Sequence, residues 1–369
     1  MLYPFKIQEV EPRAGIPWNI QMVNAPSFWP QSRGGGAVVA VIDTGLDVSH
    51  PEIAGRVVAP FDATGGVHGV RDISGHGTHV AGTIAGKTCG MAPEARIMPI
   101  KIFPDDPKNN GQIGIYIQDA FKYVLDHNKA ANPEDRVVAV NCSWGSQGYD
   151  PLMAYFIRRL VSEGVTVVVA AGNQGDGDAE THEVFSYPAY IWEVVTVGAL
   201  NQDGTGAAYS NSFDGIDLAA PGTGIYSAWP GGGYKIISGT SMAAPHVTGA
   251  ISLIYDAWRK REGSYSTEDQ AVAALMKHIC KVNINPLFVG DGVLDLTWND
   301  AYWNRSMKEG FLWIGKDYAL IDGKEVRLDV APYIVPEAGR TMVPLRFMAE
   351  HFGYNVEWNQ SRQQVHFWK

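Results

Sequence analysis

The chain has 369 residues, of which 46% are hydrophobic and 18% charged, and this composition is typical of compact soluble proteins and not of disordered ones. At this length we expect one large domain and a smaller unit, because domains usually contain about 100 to 200 residues. The formal net charge of −10 argues against nucleic acid or an anionic membrane as a partner, since both attract basic patches.

The first residues, MLYPFKIQEVEPRAG, contain acidic side chains and lack the apolar core that a secretory signal needs. No uninterrupted apolar run approaches the ~18 residues of a membrane span. We therefore expect a cytoplasmic protein without a membrane span. The three cysteines, at positions 89, 142 and 280, show no Cys-x-x-Cys spacing and predict neither a disulfide framework nor a zinc site.

Five short apolar runs, most of them rich in valine, occur at residues 37–42, 137–142, 165–170, 194–199 and 216–221. Runs of this kind are typical of strands buried on both faces of a parallel sheet. Helical patterns separate several of them, as in βαβ units. The sequence therefore predicts an α/β fold, with a doubly wound, mainly parallel sheet and helices on both faces.

Polar residues close to glycine follow three of these predicted strands. Asp43 comes directly after the first, Ser143 after the second, and Asn173 shortly after the third. Ligands of open α/β sheets bind beyond the carboxyl ends of the strands. The sequence therefore predicts a functional site at this edge of the sheet.

The segment GTSMAAPHVTG, residues 239–249, places Ser241 at the start of a helical pattern. Serine is a common helix N-cap, but the partial positive charge of a helix N-terminus also favours a developing anion. A catalytic serine needs a base and a third group that orients the base. His76, flanked by two glycines in SGHGTHVAGTIAG, is the candidate base, and Asp43 is the candidate third group.

Two other interpretations of these motifs are weaker. Asp43-Thr-Gly resembles an aspartic protease motif, but that chemistry uses two carboxylates, and the sequence has no second copy. His76 and His79 have the spacing of a metal-binding pair, but no third ligand accompanies them, and a buried structural role for His79 is the alternative. The chain order Asp43, His76, Ser241 is that of subtilisin and differs from the orders in chymotrypsin and the α/β-hydrolases.

Four segments, DTGLDVSHPEI, GHGTHVAGTIAG, AAGNQGDGD and GTSMAAPHVTG, closely resemble signature segments of the subtilase family, and the resemblance extends over residues 19–305. Within that family, IPWNIQMVNAPSFWP and GNQGDGDAETHEVFSYP are similar to intracellular subtilisins, which are bacterial. The resemblance implies a subtilisin-like fold and a serine endopeptidase that forms an acyl-enzyme. Ser241 would attack the peptide bond, His76 would transfer protons, and Asp43 would orient His76. The resemblance also implies an oxyanion hole formed by the side chain of Asn173 and the main-chain N–H of Ser241.

By the same resemblance, protein or peptide substrates bind in an extended conformation between two strand edges. We expect broad specificity, with an apolar or aromatic residue before the scissile bond. The residues that match the substrate-binding segments are Asn109, Asn110 and Gly111 on one side, Ser143, Trp144 and Gly145 on the other, and Ala170, Ala171 and Gly172 in the wall of the main specificity pocket.

The expected chemistry requires no cofactor. The segment TIAGKTCGMAPEAR lacks the calcium-binding loop of many bacterial subtilisins, so Glu52, which matches a ligand position of that site, loses its partners. An acidic loop could hold structural Ca²⁺ through oxygen ligands, and a solvated acidic loop is the alternative. Its acidic residues are Asp176, Asp178, Glu180 and Glu183.

Residues 1–18 form a predicted N-terminal extension. Its Leu2-Tyr-Pro-Phe5 segment resembles the part of the intracellular subtilisin extension that crosses the active site and blocks it until it is trimmed. The alternative is a frayed terminus.

Residues 310–369 predict a small α+β domain built on hairpins, which resembles the domain named after the N-terminal part of copper amine oxidases, the stalk domain. Only His351 and His366 could ligate a metal there, so we expect no copper site. Such domains often occur on bacterial surface proteins, which suggests binding of a partner or a surface. The alternative function for the whole chain is therefore a scaffold or binding protein in which proteolysis is vestigial.

Overall fold

A computed structural model of the chain describes residues 8–11, 13, 15–181, 183, 186–297, 310–312, 318–321, 324–327, 333–335, 340–342, 355–359 and 364–368. The chain divides into two units, residues 1–298 and residues 299–369. The first unit contains every residue that the sequence assigns to the catalytic or substrate-binding site.

The elements of the first unit are, in chain order, β1 (Gln8–Val10), α1 (Trp18–Met22), α2 (Ala25–Phe28), β2 (Val38–Asp43), β3 (Phe61–Asp62), α3 (His76–Ala85), β4 (Arg96–Lys101), α4 (Ile113–Ala130), β5 (Val137–Cys142), α5 (Pro151–Ser162), β6 (Thr166–Ala170), β7 (Val195–Leu200), β8 (Leu218–Pro221), β9 (Ile225–Trp229), β10 (Gly233–Ile237), α6 (Thr240–Glu262), α7 (Glu268–Met276), β11 (Ile279–Cys280), α8 (Pro286–Val289) and β12 (Val293–Leu294). Short 3₁₀ helices cover Pro107–Gln112, Pro133–Asp135 and Ala179–Thr181.

A nine-stranded sheet forms the centre of this unit, with the strand order β11-β12-β8-β7-β6-β5-β2-β4-β3. All neighbouring strands are parallel except β11 and β12, which are antiparallel. Every residue of β2, β5, β6 and β7 is buried, as expected for strands covered on both faces. The predicted mainly parallel sheet is confirmed, and each of the five apolar runs overlaps one of its strands.

Helices cover both faces of the sheet, as predicted. On one face, α4 and α5 bury Phe121 and Ile157 in a core that also contains side chains of β2, β4, β5 and β6. On the other face, α6 packs across β5, β6 and β7 and against α3. All of α3 and the first eighteen residues of α6, up to Ala257, are buried. Among the residues that the structure describes, no helix has the length and apolar character needed to cross a membrane.

Strand β4 is absent from the sequence prediction because its composition is unusual for a buried strand. It contains Pro99, which lies opposite Val41 of β2 and has no N–H to donate to the sheet. It also begins with Arg96 and ends with Lys101. Arg96 forms an ion pair with Asp135 at 2.6 Å, whereas the Lys101 side chain is buried at the carboxyl edge of the sheet.

A second, three-stranded antiparallel sheet has the order β1-β10-β9. The N-terminal strand β1 forms its edge, with Gln8 opposite Ile236 and Val10 opposite Tyr234. The predicted extension is therefore attached to the first unit through β10. Its Leu2-Tyr-Pro-Phe5 segment lies outside the described residues.

The described part of the second unit consists of antiparallel strands. β13 (Gly310–Leu312), β14 (Tyr318–Ile321) and β15 (Lys324–Arg327) form one sheet, β16 (Tyr333–Val335) and β17 (Arg340–Met342) form a hairpin, and β18 (Asn355–Asn359) and β19 (Gln364–Trp368) form another. These strands agree with the hairpin pattern of the sequence. The helical part of the predicted α+β domain and His351 lie outside the described residues.

Candidate active site

The side chains of Asp43 and His76 form a buried pair at the carboxyl end of β2. Nδ1 of His76 lies 2.8 Å from Oδ1 of Asp43, and both side chains are fully buried. The same Oδ1 accepts the main-chain N–H of Thr44 at 2.7 Å. Because a carboxylate only accepts hydrogen bonds, Nδ1 is the protonated nitrogen of the ring, and Nε2 is its basic nitrogen.

Two glycines allow α3 to start against the end of β2. Gly75 has φ of +96°, and a Cβ atom at this position would lie 2.2 Å from Cζ2 of Trp229. A Cβ atom on Gly77 would lie 2.2 Å from the carbonyl oxygen of Gly45, which belongs to the turn after β2. The motif Gly-His-Gly is therefore required for the close approach that joins His76 to Asp43.

Asp72 organises the loop before His76, and sequence analysis did not identify it. Its carboxylate is buried and accepts five hydrogen bonds. The donors are the N–H groups of Ser74, Gly75 and Thr78 and the hydroxyls of Thr44 and Thr78, all within 3.0 Å. The sequence signal is an aspartate a few residues before a helix, where its oxygens can satisfy the free N–H groups of the first turn.

Ser241 is the second residue of α6 and is tied to the end of β5 by two hydrogen bonds. Its hydroxyl donates to the carbonyl of Ser143 at 2.9 Å, and the hydroxyl of Ser143 donates to the carbonyl of Ser241 at 2.8 Å. Strands β5 and β2 are neighbours in the sheet. The structure thus brings the candidate nucleophile to the strand next to the one that carries Asp43.

Asn173 follows β6 and has a fixed orientation. Its Oδ1 accepts the N–H of Thr240 at 2.9 Å and the hydroxyl of Thr240 at 2.8 Å. Because both groups donate, the atom that faces Thr240 is the amide oxygen, and the amide NH₂ points away from Thr240. A Cβ atom on Gly239 would lie 3.0 Å from Nδ2 of Asn173 and 3.7 Å from the main-chain nitrogen of Ser241. The two N–H donors expected for an oxyanion hole therefore border the same space.

The predicted wall of the specificity pocket, residues 170–172, is buried, and internal hydrogen bonds fix it. The N–H of Ala171 donates to the carbonyl of Val197 at 3.1 Å. The N–H of Gly172 donates to Oγ1 of Thr240 at 3.1 Å, and its carbonyl accepts the N–H of Asn211 at 3.0 Å. Hydrogen bonds to the main chain of Val197 and Asn211 and to the Thr240 side chain therefore fix this wall.

The predicted substrate-binding segment at residues 109–111 is not an extended edge. Asn109, Asn110 and Gly111 are exposed and belong to the 3₁₀ helix Pro107–Gln112. Asp106 caps this helix by accepting the N–H of Lys108, and proline occupies the first helical position. An aspartate followed by proline is a common helix start, which explains why the strand expectation is wrong here.

The segment of residues 143–145 on the other side is buried, and the Trp144 ring points into the core. The indole is 1% exposed, and its Nε1–H donates to the carbonyl of Ile42 at 2.8 Å. The Trp144 side chain therefore belongs to the core and is not an exposed wall of the site.

The carboxylates of the predicted calcium loop accept hydrogen bonds from other groups of the protein. Asp176 accepts the N–H of Asp178 at 2.8 Å, and Asp178 accepts the N–H of Glu180 at 2.9 Å. Glu183 accepts the N–H of Ser212 at 2.5 Å. Within the described ranges, no group of three or more His, Cys, Asp or Glu side chains is arranged to hold a metal ion. The loop as it stands does not converge on a cation, and calcium there stays a prediction.

Glu52 has other partners in place of a metal. Its buried carboxylate accepts the N–H of Thr88 at 2.7 Å, the hydroxyl of Thr88 at 2.5 Å and the hydroxyl of Tyr234 at 2.8 Å. Burial alone would raise the pKa of Glu52, but these hydrogen bonds outweigh it, and the pKa lies below its usual value. The carboxylate thus joins the turn after α3 to β10.

His79, the second histidine of the His-x-x-His motif, faces main-chain carbonyls. Its Nε2 lies 3.0 Å from the carbonyl of Ile225 and 3.2 Å from that of Lys235. Burial, reinforced by the nearby His76, lowers the pKa of His79 to about 3. The ring is therefore neutral at pH 7 and donates a hydrogen bond to the β9–β10 sheet, which is a structural role.

The subtilase family matches residues 34–295 of the chain, and the copper amine oxidase N-terminal domain matches residues 295–367. An intracellular serine protease from Paenibacillus polymyxa is 37% identical over 306 residues, which cover 80% of this chain and 90% of that protein. The major intracellular serine protease of Bacillus subtilis is 35% identical over 295 residues, with coverage of 77% and 89%. Subtilisin E of Bacillus subtilis is 35% identical over 245 residues, with coverage of 65% and 61%. The chain therefore belongs to the subtilase family of serine endopeptidases.

Proposed function

We propose that the protein hydrolyses peptide bonds through an acyl-enzyme formed on Ser241, with His76 as general base and Asp43 as the group that orients it. The observation that carries the proposal is the buried hydrogen bond of 2.8 Å between Asp43 and His76, at the sheet edge where α6 presents Ser241. A buried carboxylate next to a histidine fixes the ring tautomer and stabilises the imidazolium that forms during the reaction.

In the proposed reaction, the Ser241 hydroxyl turns from the Ser143 carbonyl toward Nε2 of His76 and attacks the scissile carbonyl carbon. His76 takes the proton and then gives it to the leaving amine, which departs as the acyl-enzyme forms. Water, deprotonated by His76, then hydrolyses the ester. Nδ2 of Asn173 and the N–H of Ser241 stabilise the negative oxygen of both tetrahedral intermediates.

For substrates, we propose flexible segments of proteins, with an apolar or aromatic residue before the scissile bond. The buried alanine and glycine main chain at residues 170–172 supports this preference, because it offers no charged group to a basic side chain. The names of the relatives from Paenibacillus polymyxa and Bacillus subtilis support an intracellular, cytoplasmic location.

We also propose that the N-terminal extension inhibits the enzyme until it is trimmed. Strand β1 is antiparallel to β10, so the chain, followed toward its N-terminus, passes Ile236 in the direction of Gly239 and Ser241. Mass spectrometry of the purified full chain during incubation tests this proposal. Loss of N-terminal residues with a parallel rise in peptide hydrolysis supports it, and full activity of the untrimmed chain contradicts it.

The proposed chemistry uses no metal, copper included. Ca²⁺ at residues 176–183 would have a structural role only. If added Ca²⁺ raises the unfolding temperature of the parent protein but not that of the Asp176→Asn variant, the result supports this site.

For the second unit, the match to the copper amine oxidase N-terminal domain supports a role in binding a partner or a surface. Unchanged peptide hydrolysis by a chain that ends at residue 305 supports this division of roles.

The test of the main proposal is hydrolysis of casein and of a phenylalanine p-nitroanilide peptide by the full chain, before and after N-terminal trimming. We expect turnover, irreversible inactivation by phenylmethylsulfonyl fluoride, and loss of activity in the Ser241→Ala variant. Turnover by Ser241→Ala, or no turnover by the trimmed enzyme, would contradict the proposal and favour the scaffold alternative.

A further inference from the structure

Thr44 lies between the strand that ends in Asp43 and the helix that begins with His76, and it is buried. Its main-chain N–H donates to Oδ1 of Asp43 at 2.7 Å, and this is the carboxylate oxygen that faces Nδ1 of His76. Its carbonyl accepts the buried ammonium group of Lys101 at 2.6 Å. The main chain of Thr44 thus fixes the Asp43 side of the pair.

The hydroxyl of Thr44 contacts the other side of the pair, at the start of α3. Its Oγ1 accepts the N–H of Gly77 at 2.9 Å and donates to Oδ1 of Asp72, also at 2.9 Å. Gly77 follows His76 directly, and its N–H belongs to the first turn of the helix, where no carbonyl of the helix can accept it. Thr44 therefore supplies the acceptor for the main chain next to His76.

Lys101 connects Thr44 to the loop that precedes His76. Its side chain is 1% exposed, and besides the Thr44 carbonyl it binds the carbonyl of Arg71 at 3.2 Å. Arg71 is the neighbour of Asp72, which accepts the Thr44 hydroxyl. The turn after β2 and the loop before α3 are therefore joined by main-chain as well as side-chain contacts.

Thr78 offers a comparison that separates positioning from folding. Its hydroxyl donates to the same carboxylate, at 2.7 Å to Oδ2 of Asp72, and accepts the N–H of Asp47 at 3.0 Å. Like Thr44, it is a buried threonine that joins the turn after β2 to α3. The two hydroxyls differ in what they hold, because that of Thr44 binds the residue next to His76.

We propose that Thr44 is a positioning residue for peptide hydrolysis, whose N–H and hydroxyl hold the Asp43 carboxylate and the start of α3 in the alignment that the hydrogen bond to Nδ1 of His76 needs. This inference rests on the proposed function. Loss of the hydroxyl would leave the N–H of Gly77 without this acceptor, so that the His76 ring shifts relative to Asp43. A displacement of ~1 Å in a site can cost about 10²-fold in rate.

The test is the Thr44→Val variant of the full-length enzyme after N-terminal trimming, which replaces the hydroxyl with a methyl group of similar size. We expect kcat for succinyl-Ala-Ala-Ala-Phe-p-nitroanilide to fall by about 10- to 100-fold, with little change in KM. Thr44→Ser keeps the hydroxyl and should recover most of kcat. Thr78→Val is the matched control, and it should lower the unfolding temperature about as much as Thr44→Val while it retains kcat.

Proton NMR in the Ser241→Ala background gives a readout that does not depend on turnover. The Nδ1 proton of His76, buried in its hydrogen bond to Asp43, should give a resonance far downfield of the main-chain amides. We expect this resonance to shift or disappear in Thr44→Val and to stay in place in Thr44→Ser and Thr78→Val.

Equal losses of kcat in Thr44→Val and Thr78→Val overturn the inference, as does an unchanged kcat or an unchanged resonance in Thr44→Val. If Thr44→Val does not fold, Thr44→Cys replaces it, because a thiol fills the space but is a weak donor and a weak acceptor. Absence of turnover by the trimmed parent enzyme contradicts the proposed function, and the resonance then decides about Thr44 alone.

Discussion

Ser143 and Ser241 bind each other reciprocally, since the hydroxyl of each donates to the main-chain carbonyl of the other, at 2.8 and 2.9 Å. One residue follows strand β5 and the other begins helix α6, so the two hydrogen bonds set the distance between the sheet edge and the nucleophile. Asn141 extends this contact, because its amide donates to the Ser143 hydroxyl at 2.8 Å. The position of Ser241 therefore depends on buried polar contacts as well as on helix packing.

Ser143→Ala should destabilise the protein, because it leaves the Asn141 amide and the Ser241 carbonyl without this partner. We expect the free energy of unfolding to fall by about 1 to 3 kcal/mol. Urea denaturation followed by circular dichroism measures it, in a Ser241→Ala background that prevents self-digestion. The control is Ser162→Ala, since the exposed Ser162 hydroxyl donates only within its own helix, at 2.9 Å to Arg159. Equal stability of the two variants would contradict the prediction.

Asn173→Ala should lower kcat with little change in KM, because the amide would bind the oxyanion and not the ground state. A loss of about 10² to 10³ is the value known for the corresponding asparagine of subtilisin, a member of the same family. Gln174→Ala changes the adjacent exposed side chain and should retain kcat. Steady-state kinetics with one peptide substrate separates the two parameters. A rise in KM alone would assign Asn173 to substrate binding.

Gly77→Ala should reduce both stability and kcat, since the added methyl would lie 2.2 Å from the carbonyl of Gly45 and push α3 away from β2. Overpacking of this kind costs about 1 to 3 kcal/mol. Gly114→Ala in α4 is the opposite case, because nothing lies within 4 Å of the new Cβ atom. That change should stabilise the protein by about 0.5 to 1 kcal/mol. Thermal unfolding of both variants in the Ser241→Ala background measures the contrast, and a tolerated Gly77→Ala would refute the steric explanation.

The pH dependence of stability should contain a contribution from His246. Its Nδ1 donates to the carbonyl of Met242 at 2.8 Å, its Nε2 lies 2.8 Å from the Asn19 amide, and burial lowers its pKa to about 4. Between pH 6.5 and pH 4 the unfolded chain binds a proton that the folded chain does not. The free energy of unfolding therefore falls with decreasing pH in this range, by about 1.4 kcal/mol per pH unit, and is constant above it.

The variant His246→Gln lacks this contribution. Its stability should change between pH 7 and pH 5 by about 2 kcal/mol less than that of the parent, with Ser241→Ala in both proteins. Other titrating groups are common to the two proteins and cancel in the difference. Identical pH dependence in parent and variant would show that His246 titrates normally in the folded state.

The sequence predicts the central sheet well because five of its strands, β2, β5, β6, β7 and β8, are buried on both faces, which requires continuous apolar runs. It identifies Asp43, His76, Asn173 and Ser241 as candidate site residues because the glycines around them leave recognisable motifs. It does not predict β4, because Pro99 lacks an N–H for the sheet and because the carbonyls of Thr44 and Arg71 that bind the buried Lys101 are distant in sequence. It does not predict the 3₁₀ helix that contains residues 109–111, because the resemblance to an extended segment of the family outweighed the local Asp-Pro signal for a helix start. It also does not predict the role of Asp72, because the five hydrogen-bond donors of its carboxylate come together only in the folded loop.

Strand β1 occupies the outer edge of β10, and its removal would change how the molecule meets its neighbours. Trimming beyond Val10 would leave the main-chain groups of residues 234–236 without their three partner residues. An uncovered edge of this kind is a template for a further strand, whether from a substrate, a released peptide or a second molecule. Lys235 forms an ion pair with Glu9 at 3.4 Å in the intact chain. After trimming, its unpaired charge on the edge strand would oppose the pairing of a further strand. Maturation and self-association would thus be linked through one strand of three residues.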